Sequence, residues 1–239
     1  GGTEIKRLQL DSWQCIKRRE LVSFLLSLIP RERIKGGRAF SHFVYEKDKI
    51  VAAAFLNGEV EYGDLFVGAD GGNSKVRELI HGKVKFSPVE VKEAVGVCVN
   101  DKIEEQYRNI FTKFQKKECG LAFGLIPTDV NEFVWFMQYD PCLADVPDAS
   151  PEELKTFCYR LLEKFPKVVH DILDANDFTS TYIWNTRDFD LLTSFHKKNV
   201  VLIGDAAHLA LPFTSAGTTN AILDAKVVAQ FITEHPDEH

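Results

Sequence analysis

Two short apolar runs each end in a glycine–aspartate corner, and no other feature restricts the fold so strongly. The first, Asp64-Leu65-Phe66-Val67-Gly68-Ala69, leads into Asp70-Gly71-Gly72-Asn73-Ser74-Lys75-Val76-Arg77. The second, Asn199-Val200-Val201-Leu202-Ile203, leads into Gly204-Asp205-Ala206-Ala207-His208. Both runs read as buried strands. At the first corner, Ser74 is placed to cap a short helix that carries Arg77 on its first turn. The glycines let a ligand approach the backbone, while Asp70 and Arg77 offer a hydrogen-bond acceptor and a phosphate-pairing donor. An Asp-Gly pair is also an ordinary turn, but the strand before it and Ser74 and Arg77 after it weigh against that bland reading. At the second corner, Asp205 lies just past its strand, where it can accept from a sugar-like hydroxyl. The loop 213–219 brings free backbone N–H groups to a helix N-terminus, whose partial positive charge favours an anion. Asp205 and His208 could also be taken as metal ligands, yet no further ligand cluster accompanies them, so no metal is expected.

The remaining pattern frames these corners. Leu21, Phe24, Leu25 and Leu28 recur at helical spacing before Pro30, which predicts an amphipathic helix over 17–29. The run 50–56, Asn57-Gly58 and the alternating 59–62 predict a β-hairpin with a tight primed turn. Residues 89–99 read as a strand, and 121–126 is expected to pair with 133–139 across a polar loop. Ser150-Pro151-Glu152-Glu153 starts a helix in three ways: Ser as N-cap, Pro at the first position and Glu completing a capping box. Leu154, Phe157, Leu161 and Phe165 supply its apolar face. A last helix is expected over 220–232. The order is thus helix and strands, a mostly antiparallel insert, then a return to strand and helix.

Composition limits the function classes. With 239 residues, 45% apolar and 27% charged, the chain can bury a core as one large domain or two intimate ones, and is neither disordered nor a coiled coil. No apolar run reaches the roughly 18 residues of a membrane span, and no signal peptide is visible. A formal charge of -6 without a sustained basic face argues against a nucleic-acid partner. Cys15, Cys98, Cys119, Cys142 and Cys158 are odd in number and never form CxxC, which fits reduced thiols in the cytoplasm. His42, His170 and His196 are scattered, and no general base can be assigned.

The two corners resemble the DG and GD motifs of the class A FAD-dependent monooxygenases, the para-hydroxybenzoate hydroxylase-like flavoproteins. Gly204-Asp205-Ala206-Ala207-His208, with Pro212 and Asp224-Ala225 beyond, carries the likeness most strongly; Asp70-Gly71, Ser74 and Arg77 carry it next, and Ile16-Lys17-Arg18-Arg19-Glu20-Leu21 carries it more weakly. The resemblance implies an α/β fold: a Rossmann-like FAD-binding core, N-terminally incomplete because no strand followed by GxGxxG is present, with an inserted antiparallel substrate domain. It places FAD-binding parts at 1–84 and 186–239 and the substrate domain at 85–185. Asp205 would hold a ribityl hydroxyl of FAD, Gly204 would sit against the pyrophosphate, and Pro212 would lie by the reactive flavin edge. The N–H groups of Gly217, Thr218 and Thr219 would face the flavin N1–C2=O locus. Arg18 would contact the FAD chain, and Asp70, Gly71 and Arg77 would shape the pyrophosphate region. Phe123, Trp135, Met137 and Phe213 are candidates for an apolar substrate wall, against an ordinary core role for each.

The chain departs from the family at Ser215-Ala216-Gly217, where Gly-Gln-Gly is usual, and at Thr219, where asparagine is usual. The implied reaction is hydroxylation of an aromatic or other electron-rich small molecule, with NAD(P)H as reductant, O2 as oxidant and a flavin C4a-hydroperoxide as the transferring species. Two alternatives stand beside it: a non-catalytic remnant of the fold, and a related flavoenzyme such as a halogenase or a prenyl reductase.

Overall fold

The apolar runs of the two corners pair with each other. In the computed structural model, which describes residues 3–8, 15–146, 148–214 and 216–235, Phe66–Gly68 and Val200–Leu202 lie parallel, Val200 opposite Phe66 and Leu202 opposite Gly68. His196–Lys197 adds an antiparallel third strand. Gly68 is required by packing: a Cβ there would meet Val76 Cγ1 at 2.7 Å and Leu202 Cδ2 at 2.8 Å. The absent side chain lets the helix Lys75–His81 settle against the strand pair. Phe43, Ile50, Val76, Ile80, Val200, Leu202, Ala206 and Ala207 form the core beneath them.

The chain divides into two compact units, Arg31–Pro88 with Arg187–His239, and Gly1–Pro30 with Val89–Thr186. Residues 1–30, placed by the sequence with 31–84, group instead with 89–186. The first unit also holds an antiparallel sheet of Phe40–Glu46, Lys49–Phe55 and Val60–Tyr62. The Asn-Gly hairpin forms as expected in place but not in turn type. Gly58 alone of the pair has a positive φ, +84°, its N–H donates to Phe55 O at 3.0 Å, and Phe55 N–H donates to Glu59 O at 3.0 Å. Those bonds describe a three-residue loop closed by a left-handed glycine, which needs one positive φ rather than two.

In the second unit, five antiparallel strands run in the order Thr112–Lys116, Leu121–Pro127, Glu132–Tyr139, Lys92–Val99, Tyr182–Asn185. The expected 121–139 hairpin is present, with Ala122 opposite Gln138 and Pro127 opposite Phe133. The helix Pro151–Leu162 begins with the full capping box: Ser150 Oγ accepts from Glu153 N–H at 3.3 Å, and Ser150 N–H donates to the Glu153 carboxylate at 2.8 Å. Its buried side chains are Leu154, Phe157, Cys158 and Leu162, with Leu161 and Phe165 at the margin. A further helix, Lys167–Ala175, contributes Val168, Val169, Ile172 and Leu173 to the same core. No helix among the described residues is long and apolar enough to cross a membrane.

Three of the four side chains expected to line a substrate wall are in this core. Phe123, Trp135 and Met137 have no exposed surface. The rings of Phe123 and Trp135 stack at 5.7 Å, and Trp135 Nε1 donates to Asn176 Oδ1 at 2.8 Å. Strand alternation sends all three to the face covered by the two helices, where a substrate has no room. Phe213, in contrast, is 45% exposed.

Candidate functional site

The second corner is built around a glycine that no other residue could replace without strain. Gly204 has φ +56° and ψ −142°, and a Cβ added to it would meet Ala221 Cβ at 3.0 Å. Its carbonyl accepts from Ala207 N–H at 2.8 Å and His208 N–H at 2.9 Å, which starts the short helix Asp205–His208. Its N–H donates to Asp224 Oδ2 at 2.8 Å, and the same oxygen lies 2.6 Å from His208 Nε2. Asp224 belongs to the helix Gly217–Glu234. One carboxylate oxygen therefore ties that helix to both ends of the corner.

This tie matters because the helix has little else to hold it. None of its residues is buried, and Ile222, Leu223, Val227 and Phe231 are all about half exposed or more. Its N-cap, Ala216, makes no side-chain cap, so the N–H groups of Gly217, Thr218 and Thr219 remain open to a ligand. Asp205 stands beside them: the position of a Cβ on Gly217 is 4.0 Å from Asp205 Oδ1. Asp205 is exposed, and its carboxylate makes no hydrogen bond or ion pair with another described residue. Pro212 opens a 3-10 turn, Pro212–Thr214, and is exposed together with Phe213. Ser215, expected in the flavin-facing loop, lies outside the described residues.

The first corner is shaped differently from the expectation. Asp70 spends both oxygens on its own helix: Oδ1 accepts from Ser74 Oγ at 2.5 Å, and Oδ2 accepts from Lys75 N–H at 2.7 Å and Val76 N–H at 3.1 Å. Ser74 Oγ in turn accepts from Arg77 N–H at 2.8 Å. Gly71 has φ +81°, with open space where its Cβ would be.

Arg77 departs furthest. Only 3% exposed, it donates to the carbonyls of Gly72 at 2.6 Å, Asp205 at 3.3 Å and Ala206 at 3.0 Å, and its guanidinium stacks 4.4 Å from the Phe189 ring. Burial pulls its pKa below the usual arginine range, and neighbouring Arg187 adds to that while Asp70 opposes it. A guanidinium so buried clamps the two corners together, with three of its five N–H donors spent on backbone carbonyls.

Arg18 is in the other unit, exposed at the first turn of the helix Arg18–Ser27. The residue before it, Lys17, bonds to the Glu132 carboxylate at 2.8 Å. No group of three or more His, Cys, Asp or Glu that could hold a metal occurs among the described residues.

Asp224 was named only as part of the motif and given no role at the site. The signal was its isolation: it is the single carboxylate between Gly217 and Thr233, two turns along the face that carries Gly217.

The arrangement suits a nucleotide-like ligand: a free carboxylate for hydroxyls, an uncapped helix start for negative charge and glycines that admit close approach. The FAD binding domain family matches residues 48–238. The chain is 26% identical over 237 residues to 3-amino-4-hydroxybenzoate 2-monooxygenase of Streptomyces cremeus, covering 98% of this chain and 57% of the relative. It is 25% identical to Monooxygenase 1 of Arabidopsis thaliana, covering 92% and 56%. Among solved structures, Klebsiella pneumoniae HpxO complexed with FAD and uric acid has the same fold at TM-score 0.77 and 21% identity, over 88% of this chain and 53% of that one. So does 2,6-dihydroxypyridine-3-hydroxylase from Arthrobacter nicotinovorans, at TM-score 0.72 and 20% identity, over 88% and 59%. The chain spans somewhat more than half the length of the curated relatives it matches. By this match and by its paired glycine–aspartate corners, it belongs to the FAD binding domain family.

Proposed function

We propose that the two corners hold FAD and that the complete protein is a flavin-dependent monooxygenase hydroxylating an aromatic or other electron-rich small molecule. The observation that carries the reading is Asp205: an exposed carboxylate with no partner among the described residues, beside three uncapped helix amides. In this reading Asp205 accepts from a ribityl hydroxyl and Gly204 leaves room for the pyrophosphate. The N–H groups of Gly217, Thr218 and Thr219 stabilise negative charge at the flavin N1–C2=O locus, as the start of an 18-residue helix does by its dipole. Pro212 and Phe213 border the reactive edge. Asp70 and Arg77 act one step back, by fixing the helix and the corner carbonyls.

Bound FAD, reduced by NAD(P)H, supplies the activation of dioxygen and the oxygen transfer. The curated relatives named above are monooxygenases, which supports that class. The substrate role falls to the sheet of 85–185, and the FAD-binding role to the segments on either side. Free thiols at Cys15, Cys98, Cys119, Cys142 and Cys158 support a cytoplasmic setting.

The test is direct. FAD should bind the chain with quenching of flavin fluorescence, and Asp205→Ala should weaken binding about tenfold or more. In the complete protein, a phenolic compound should stimulate NADPH oxidation and yield product carrying one oxygen atom from O2. Binding that is indifferent to Asp205→Ala overturns the placement of FAD. Consumption of halide or reduction of an alkene, with no response to phenols, overturns the reaction class.

A further inference from the structure

We propose that Lys113 and Glu93, joined by Gln138 on the open face of the five-stranded sheet, select the substrate, and that its class is a small aromatic acid carrying an amino or hydroxyl donor. This rests on the hydroxylation proposed above only for the fate of the bound ring. Phe123, Trp135 and Met137 are buried under the two helices, so alternation sends Phe136 and Gln138 to the opposite side of the sheet. Register sets Val95 beside Phe136 and Glu93 beside Gln138. Val97, Val99, Tyr182 and Trp184 share that side, and each is about half exposed, so it stands open.

A polar row crosses this otherwise apolar face. Lys113 Nζ donates to Gln138 Oε1 at 2.8 Å, and Gln138 Nε2 donates to Glu93 Oε1 at 2.6 Å. Lys113 stands on the edge strand Thr112–Lys116 and reaches the third strand over Ala122 and Gly124, which have no bulk to stop it. Gln138 is only 8% exposed. Stability alone gives no reason for the row, because an apolar side chain at 138 would cover the same surface without desolvating an amide.

Both charged groups keep hydrogen-bonding capacity. Two of the three Lys113 donors and the second Glu93 oxygen have no partner among the described residues. The face therefore presents a cation for an acidic substituent and an acceptor for a donor. At most two hydrogen bonds and one amide width separate them, which is the scale of a single substituted benzene ring. Phe136 stands next to the row, its ring so close over Gly124 that a Cβ there would fall 2.1 Å from it. It supplies an aromatic neighbour for a planar ligand.

The experiment follows benzoate, aniline and 4-aminobenzoate binding to the chain by ligand-observed NMR. Wild type is compared with Lys113→Met, Lys113→Arg, Glu93→Gln and, as an exposed control in the same unit, Lys164→Ala. Lys113→Met should weaken benzoate and 4-aminobenzoate about tenfold and leave aniline within about twofold. Lys113→Arg, which keeps the charge, should restore most of the loss. Glu93→Gln should weaken aniline and 4-aminobenzoate at least about threefold and spare benzoate, and Lys164→Ala should change none of the three. A row that only braces the sheet would move all three ligands alike or none of them, and either result overturns the proposal. So does a wild type that binds no member of the set. Failure of the wild type to bind FAD overturns the hydroxylation instead, and the pattern across the three ligands still decides the face.

Discussion

Replacing Asp224 with alanine removes both hydrogen bonds made by one oxygen, to Gly204 N–H at 2.8 Å and His208 Nε2 at 2.6 Å. A hydrogen bond to a charged group contributes about 1.5–3 kcal/mol. The side chains of His208 and Asp224 are 23% and 30% exposed, so water screens part of that and the lower half of the range applies to each bond. Allowing for water replacing one partner, we expect the docking of the helix Gly217–Glu234 to weaken by about 1–3 kcal/mol, a factor of roughly 5 to 150 in its local opening. The helix buries no side chain fully, and only half-buried residues such as Ala221, Val228 and Ile232 add apolar contact, so compensation is small. Hydrogen–deuterium exchange of backbone amides over 217–225 reads the effect without any cofactor, and the same variant should bind FAD more weakly by a similar factor. Asp224→Asn keeps an acceptor for Gly204 N–H and should lose less. Exchange in Asp224→Ala within twofold of the wild type would refute the idea that this carboxylate holds the helix to the corner.

Other consequences can be measured separately. Gly68→Ala forces a methyl to within 2.7 Å of Val76, which should cost about 1–3 kcal/mol and lower the melting temperature by several degrees. Phe123→Ala should destabilise the second unit by about 3–5 kcal/mol, whereas Phe213→Ala should change stability by less than about 0.5 kcal/mol; a Phe123→Ala protein that melts normally would contradict the core assignment. Burial pushes the thiols of Cys98 and Cys158 up to about 12, so at pH 8 only about one in ten thousand of either is thiolate. Alkylation of the native protein should therefore label exposed Cys15 and Cys142 first and reach Cys98 and Cys158 only after unfolding or well above pH 8, as peptide mass mapping would show.

What the sequence revealed follows from how local each cause is. The strands at both corners, the 121–139 hairpin and the capping box at Ser150 are set by neighbours a few positions apart, and all appear. The helix Lys167–Ala175 and the strand Phe40–Glu46 carried readable signals, Val168-Val169 with Ile172-Leu173 and an aromatic-rich run, but neither was flagged by a strong terminator. Arg77 misled because its type suits a phosphate, while its burial depends on Phe189 and on carbonyls at 205 and 206, more than a hundred positions away. Alternation along Phe123, Trp135 and Met137 shows that they share faces, but which face the helices cover is decided by tertiary packing.

The chain leaves one unit after Pro88 and returns to it at Arg187, and backbone bonds flank both crossings. Ser87 N–H donates to Asp188 O at 2.9 Å on one side of the passage, Phe86 bridges to Phe189, and Thr186 N–H donates to Val91 O at 3.2 Å on the other. Once those bonds are made, the length of chain beyond them scarcely matters to the strands it separates, since doubling a loop adds only about 0.6 kcal/mol of closure entropy. Evolution can therefore resize or rewrite the excursion between Val89 and Thr186 as a cassette while Val200 keeps its place opposite Phe66.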